Sequence, residues 1–482
     1  MASYLPLEFI SSLKNLEHFD PEAFLRVHES GEQLVSVHMN SEKPILQNGE
    51  WPISFIESPF EMAGKVPWAP DAYYLSSRPA FTLDPLFHAG TYYVQEASGM
   101  FVAFAFKQVS DLTQKLKVLD LCAAPGGKST LIQSLISPDS LLVSNEVIKT
   151  RVPVLTQNLT KWGRANSIVS NNDPAHFKQV PGFFDIMLVD APCSGSGLYR
   201  KDRGAASSWS MDLVKLCGQR QRRILADAWD CLKEDGFLIY STCSYSKEEN
   251  EDILDILFNQ YSCESIALTP DPAWNIVETI SNQAGAFGYR FYPDKVSGEG
   301  FFLAVIQKKQ PVDSLKSNKY SALYPSKCSH ANKSNKNPAR ISKSAEQKIQ
   351  QWMKTDALEY IPIGDCIHAL APGLANDLEL LKNNLYLKKA GIRVGKAGEN
   401  EWIPDHELAL ANFLKNDSPT IVISKSDALH FLRGEPFEAD IQEKGWNMAS
   451  YMGQRLGWVK LLDRRMNNYY PKSWRIRQES LF

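Results

Sequence analysis

The chain has no apolar run approaching the ~18 uncharged residues that a membrane-spanning helix requires. Its opening residues, Met1-Ala-Ser-Tyr-Leu-Pro-Leu-Glu8, lack the basic region and small-residue cleavage site of a secretory signal. These two absences make a cytoplasmic protein without a membrane partner the expectation. The eight cysteines (122, 193, 217, 231, 243, 263, 328 and 366) contain no pair spaced by two residues and no regular ladder. That argues against a disulfide framework and a zinc ribbon, so a reduced protein without a bound metal is expected. Excess positive charge is also missing: 52 Lys and Arg against 55 Asp and Glu leave a net charge of −3. No internal repeat is evident.

The average charge conceals an uneven distribution. Residues 311–350 carry eight Lys and Arg against Asp313 and Glu346, and residues 455–482 carry seven against Asp463 and Glu479. Two basic segments on an otherwise acidic body suit localised contact with phosphate. A solvated linker is an equally good reading of the first segment. In the second, aromatics interleave with the charges (Tyr469, Tyr470, Trp474), which favours nucleic-acid binding over a final strand with solvated charges.

At 482 residues the chain has room for about three domains. Residues 1–100 show helical periodicity at Leu7–Leu16 and Pro21–Leu25, a strand-like run at Gln33–Met39, and Pro/Trp-rich stretches at Trp51-Pro52 and Val66–Pro70. This reads as a small α/β domain with a connector. From 101 to 310, apolar runs recur at Val118–Leu121, Leu141–Val143, Ile168–Val169, Ile186–Val189, Phe237–Tyr240 and Phe301–Ile306, with amphipathic stretches between several of them. Such alternation predicts a parallel-rich sheet covered by helices on both faces, which takes ligands at the carboxyl ends of its strands. Residues 311–385 read as a basic linker followed by a helical segment, from Ala345 towards Leu370 and again at Leu378–Leu387. Residues 386–482 read as a small β-rich domain, with strands at Gly391–Gly395, Thr420–Ser424, Gly457–Leu462 and Ser473–Arg477.

Three motifs fall just past predicted strands. Val118-Leu-Asp-Leu-Cys122-Ala123-Ala124-Pro125-Gly126-Gly127-Lys128-Ser129 is a strand, a Gly turn and a helix start, where backbone amides can approach a ligand closely. A phosphate loop is the rival reading, but its first required glycine falls on Cys122. A methionine-derived cofactor is therefore favoured. Glu146, at the next strand end, could hold both hydroxyls of a ribose, and Asp173, at the one after, could reach an adenine amine. Singly, each is more often a turn or cap residue, and together, at consecutive strand ends, they point towards ligand binding.

The remaining two motifs are Asp190-Ala-Pro192-Cys193-Ser-Gly and Ser241-Thr-Cys243-Ser, with Glu248-Glu249-Asn250 following the second. Two strand-end thiols beside a cofactor loop suit methyl transfer to a pyrimidine carbon. C5 of cytosine is a poor nucleophile until a thiolate adds at C6 and makes the ring an enamine. The chemistry also needs an acid at N3, for which Asp190 is placed, and a way to expel the thiol afterwards. Arg200-Lys201-Asp202-Arg203 then offers candidate phosphate contacts.

Together with Tyr93-Val-Gln95-Glu96, Arg290-Phe-Tyr-Pro and Gly298-Glu-Gly-Phe-Phe302, these motifs resemble the signatures of the Nol/Nop/Sun family of RNA cytosine-C5 methyltransferases, over residues 66–306. The resemblance implies a Rossmann-like methyltransferase sheet with an antiparallel last strand, S-adenosyl-L-methionine as donor, and a PUA-like RNA-binding domain at the C-terminus. It implies Cys243 as nucleophile, Cys193 as the thiol that assists product release, and Asp190 facing the cytosine. Cys122, Ala123, Ala124, Pro125, Gly126, Gly127, Lys128, Glu146, Asp173 and Asp190 would line the cofactor. The implied substrate is a cytosine near the decoding region of 16S rRNA in the small (30S) ribosomal subunit, and a monomer is expected. Relatives often carry Glu where Ser196 stands, Pro-His where Pro293-Asp294 stands, and Arg-Val-Asn at the N-terminal RNA contact where His38-Met39-Asn40 stand. The alternatives are the same chemistry on tRNA or another rRNA site, or a ribosome-assembly factor with a silent fold. Both thiols and the complete loop count against the silent factor.

Overall fold

The computed structural model describes residues 4–44, 61–309, 352–353, 358–398, 401–415, 418–437, 444–463 and 465–477. Trp51-Pro52 and the basic segment 311–350 lie outside the described residues.

Two helices open the chain, α1 (Leu7–Leu13) and α2 (Pro21–Glu29). Asp20 caps α2 by accepting the Glu22 and Ala23 amides at 3.0 Å, and Pro21 fills the first position, where no amide partner is needed. Four strands, β1 (Val35–Met39), β2 (Met62–Lys65), β3 (Ala72–Leu75) and β4 (Tyr92–Val94), form an antiparallel sheet in the order β2-β3-β1-β4. Helix α3 (Pro85–Ala89) precedes β4 and α4 (Phe101–Val109) follows it.

The predicted apolar runs all lie in one ten-stranded sheet. Its parallel centre comprises β5 (Lys117–Asp120), β6 (Leu141–Asn145), β7 (Ser167–Ser170), β8 (Phe184–Asp190) and β9 (Leu232–Thr242), in the spatial order β9-β8-β5-β6-β7. The strands β10 (Cys263–Ser265), β11 (Val277–Ile280), β12 (Phe287–Phe291) and β13 (Phe301–Lys308) complete one side, and β13 runs antiparallel to β9. The crossover helices are α5 (Gly127–Leu135), α6 (Val152–Trp162) and α7 (Met211–Ala228), and α8 (Glu251–Gln260) follows β9.

Both faces of the sheet are dry. Val118, Leu142, Ile186, Leu188 and Ile239 pack on α4, α5 and α6, while Leu119, Val143, Met187, Val189 and Leu238 pack on α7 and α8. Strands buried on both faces read as continuous apolar runs, which is why they were visible in the sequence. The strand order reverses between β5 and β8, so a crevice opens there at the carboxyl ends.

The tail continues into this sheet. β14 (Glu359–Ile363), β15 (Cys366–Leu370), β17 (Ile392–Ala397) and β18 (Trp402–Pro404) make a four-stranded sheet, while β16 (Leu387–Ala390) pairs with β7 as the edge of the large one. A helix at Ala375–Asn384 matches the second predicted helical piece. The first is corrected over residues 359–370, which form a hairpin. Its Tyr/Ile-rich strands turn at Gly364, whose φ of +64° suits glycine. A last sheet has the order β19 (Thr420–Val422), β20 (Gly445–Tyr451), β21 (Gln454–Leu461), β22 (Met466–Asn468). The strand expected at Ser473–Arg477 is instead a short 3-10 turn (Lys472–Trp474) and irregular chain. Among the described residues no helix is long and apolar enough to cross a membrane.

Candidate active site

The loop after β5 is built to expose backbone. Gly126, at φ +115°, turns the chain into α5, and Thr130 Oγ1 bonds back to the Gly126 and Gly127 carbonyls at 3.0 Å. A side chain on Gly127 would meet Tyr93 Cε1 of β4 at 2.9 Å, so the N-terminal sheet fixes this position as glycine. The loop is stitched to its neighbours by Leu121 N to Leu188 O (2.9 Å) and Ala123 N to Asn145 O (2.8 Å). Cys122 is half-buried against the core, and burial raises its thiol above the usual range.

Acids ring the crevice. Glu146 is buried. Its Oε1 accepts the Ile148 amide at 2.8 Å, while Oε2 lies 3.2 Å from Arg151 Nη1 without hydrogen-bond geometry. Asp120, fully buried at the end of β5, holds Ser129 Oγ at 2.6 Å through Oδ2, and its Oδ1 has no donor. Burial raises Asp120 to about 7. Asp173 caps the turn Pro174–Gln179 through the Ala175 amide (3.1 Å) and lies 3.3 Å from Arg223, so its cap reading is realised.

Asp190, at the end of β8, is held on both oxygens: Oδ1 accepts Ser241 Oγ at 2.9 Å and Oδ2 pairs with Lys128 Nζ at 2.8 Å. Burial works against the Lys128 charge, but Asp190 outweighs it and raises the ammonium above its ordinary value. Cys193 and Cys243 meet across adjacent strand ends with their sulfurs 3.1 Å apart. The hydrogen bond to Cys243, then burial, then the charges of Cys243 and Glu249 push Cys193 well above the thiol range. Either sulfur can donate in this contact.

The Cys243 turn is anchored by residues of the Glu248-Glu249-Asn250 and Arg290-Phe-Tyr-Pro motifs. Asn250 accepts Thr242 Oγ1 (2.6 Å) and donates to Ser244 O (2.8 Å). Arg290 of β12 grips Glu251 through Nε (2.7 Å) and Tyr245 O through Nη1 (2.8 Å). Gly300 donates to Gly197 O (3.0 Å), and Gly197 to Cys243 O (2.8 Å), so three loops close on one another. Ser196 is buried and accepts the Tyr245 amide at 3.0 Å.

One expected RNA contact is corrected. Arg200 is buried and bonds Glu32 O (3.0 Å) and Gly298 O (3.4 Å), so it ties loops together rather than meeting phosphate. His38, Met39 and Asn40 are buried too, and Asn40 Nδ2 donates to Gly90 O and Trp162 O at 3.0 Å each. They join the N-terminal sheet to the catalytic core. Beside them, the Lys43 ammonium donates to Ala89 O (2.8 Å) and Lys161 O (2.5 Å), at the carbonyl ends of α3 and α6.

A parallel sheet with a central reversal, an antiparallel last strand and a glycine loop ringed by strand-end acids defines the Rossmann-like fold of the S-adenosylmethionine-dependent methyltransferases. Residues 108–307 match the family model described as 16S rRNA methyltransferase RsmB/F. Residues 5–97 match the N-terminal domain of 16S rRNA methyltransferase RsmF, and residues 418–476 match the methyltransferase RsmF PUA domain. The ribosomal RNA small subunit methyltransferase F of Vibrio vulnificus (strain YJ016) is 31% identical over 399 residues, covering 82% of this chain and 80% of that protein. Its counterpart in Vibrio cholerae serotype O1 (strain M66-2) is 29% identical over 426 residues, covering 86% of each. The crystal structure of NSun6 from Pyrococcus horikoshii with SFG aligns with a TM-score of 0.52 at 17% identity, covering 64% of this chain and 99% of that one, and so shares the fold. The chain belongs to the RsmF family of 16S rRNA methyltransferases.

Proposed function

We propose that the protein methylates C5 of a specific cytosine in 16S rRNA of the small ribosomal subunit, near the decoding region, through a covalent adduct between Cys243 and C6. The observation that carries this reading is the pair of strand-end thiols, 3.1 Å apart, beside the fixed Asp190–Lys128 pair.

The crevice suits S-adenosylmethionine. The buried Asp120 Oδ1 has no donor, and Glu146 Oε2 meets only the Arg151 guanidinium at 3.2 Å, so both carboxylates can still take hydroxyl or amine donors. The loop Cys122–Lys128 with Glu146 and Asp190 would hold it, and Asp173 could receive the adenine amine if it gave up its Arg223 contact. When bound, the cofactor supplies an electrophilic methyl group. Asp190 faces the cytosine and binds its N3 edge, with Lys128 as the adjacent proton source. The Cys243 thiolate forms the S–C6 bond, and the electron pair displaced from the C5–C6 double bond makes C5 nucleophilic. Once C5 carries the methyl group, a water molecule takes the C5 proton, the C–H electron pair re-forms the C5–C6 double bond, and the S–C6 bond breaks to return Cys243 as thiolate, with Cys193 assisting that release.

The target base must be unpaired or flipped out, at a cost of a few kcal/mol. The N-terminal unit and the PUA domain hold the rRNA around it. Between them lies a polar cavity of about 490 Å³ whose lining includes Lys43, Asn412 and Arg455.

The test is to map 5-methylcytosine after incubating the protein and S-adenosylmethionine with unmodified 30S subunits, naked 16S rRNA and tRNA. One discrete 16S site, absent with Cys243→Ala, is the expected result. Cys193→Ala should accumulate a covalent RNA adduct. Full turnover by Cys243→Ala overturns the assigned roles, and a mark on tRNA alone overturns the target.

A further inference from the structure

Glu249 takes no part in the chemistry above, yet it is a fully buried carboxylate between the two thiol loops. It accepts the Ser194 amide at 2.8 Å, Ser194 Oγ at 2.6 Å, Ser244 Oγ at 2.5 Å and Gln221 Nε2 at 3.4 Å. Ser194 follows Cys193 and Ser244 follows Cys243. One side chain therefore fixes the relative position of two sulfurs that lie 50 residues apart in sequence. Asn250 already anchors the Cys243 turn to the start of α8, so turn closure alone does not require Glu249.

Glu249 is bonded to both thiol loops but more heavily to that of Cys193, through the Ser194 amide and hydroxyl against the Ser244 hydroxyl alone. Lys128, paired with Asp190, stands close enough to Cys243 for a thiolate there to stabilise its ammonium. On the other side Glu249 places a negative charge against Cys193. The groups facing Glu249 are Ser194 and Tyr199 from the Cys193 loop, Gln221 and Cys217 from α7 with Arg220 beyond, and Tyr240 from β9, whose hydroxyl donates to the Glu249 carbonyl at 2.7 Å. Among the described residues no ammonium or guanidinium forms an ion pair with Glu249 to cancel its charge.

We propose that Glu249 is a positioning residue that gives the two thiols their different roles, holding Cys193 as the proton-bearing partner and leaving Cys243 as the sulfur that attacks. This rests on the assignment of Cys243 as nucleophile made above. A carboxylate suits the task for two reasons. It can accept from both serine loops at once, and its charge penalises a thiolate at Cys193 more than a neutral acceptor would.

The test uses the full-length protein without RNA or methyl donor. Iodoacetamide is added across pH 6–10, and S-alkylation, in which thiolate sulfur displaces iodide, is quantified at each cysteine by peptide mass spectrometry. In the wild type, Cys243 should react at least about tenfold faster than Cys193, a ratio that corresponds to one pH unit in thiol ionisation. In Glu249→Gln, which keeps an acceptor but no charge, the Cys193 profile should move to lower pH and the ratio should fall towards one. Methyl transfer should lose kcat by ~10-fold or more with KM little changed, as expected when a transition-state arrangement is disturbed. Ser194→Ala, which removes one tether but keeps the carboxylate charge, serves if the Glu249 variant fails to fold: it should lower kcat without moving the Cys193 pH profile to lower pH, and a shift to lower pH there would overturn the role of the charge. An unchanged ratio and pH profile in a folded Glu249→Gln protein overturns the proposal. A wild type in which Cys193 reacts first overturns the nucleophile assignment beneath it, which is a separate failure.

Discussion

Replacing Arg290 by Met tests the anchoring of the Cys243 turn to the antiparallel edge of the sheet. Arg290 is 2% exposed, and its partner Glu251, at the start of α8, is 3% exposed. The pair has the two-pronged geometry of guanidinium on carboxylate, and the remaining arm holds Tyr245 O. Removing one member leaves Glu251 charged, buried and unpaired, which costs about 3–5 kcal/mol. At roughly 2–4 °C per kcal/mol for a domain of this size, the catalytic unit should melt about 6–20 °C lower in a thermal scan followed by circular dichroism. The diagnostic comparison is the double variant Arg290→Met/Glu251→Leu. It removes both charges and should regain most of the loss, because the cost comes from the stranded carboxylate rather than from missing attraction. A double variant as unstable as the single one, or a single variant that melts within a degree or two of wild type, would refute this reasoning.

Two further outcomes are expected. Gly300→Ala would place a methyl group 2.2 Å from Tyr245 Cζ and 2.6 Å from Gly197 Cα, forcing the thiol loops apart; methyl transfer should fall by ~100-fold, and the melting temperature should drop as well because overpacking costs about 1–3 kcal/mol. Asp120, raised to about 7 by burial, binds a proton more readily folded than unfolded; its contribution to stability is full below about pH 4 and is lost as pH rises through 7. Asp120→Asn should therefore flatten the decline in melting temperature between pH 4 and 8, and an equally steep decline would contradict the assignment.

The sequence alone determined the catalytic sheet. Strands buried on both faces must be apolar throughout, so β5, β6, β8, β9 and β13 stood out without any knowledge of their neighbours. It also placed Cys193, Cys243, Asp190 and the Gly126-Gly127 loop at strand ends, because the polar turn that ends such a strand is itself a local signal.

What it could not show was which polar residues meet. Glu249 stood in the sequence only as part of a motif after Cys243, and the approach of the Ser194 loop to the Ser244 loop makes it a hub. Arg200 looked like a phosphate contact, and burial against Glu32 O and Gly298 O made it a fastener between loops. The segment 359–370 looked helical because its apolar spacing fits either period, and hairpin pairing decided it. β16 joins the catalytic sheet from the tail, more than 200 residues after its partner β7, a pairing that no local pattern encodes. The side-chain period of a strand or helix is written into consecutive residues, whereas the partner of a buried charge is chosen by chain segments far away in sequence. That is why the sheet could be read before folding, and the placement of the two thiols within a hydrogen bond of each other only after it.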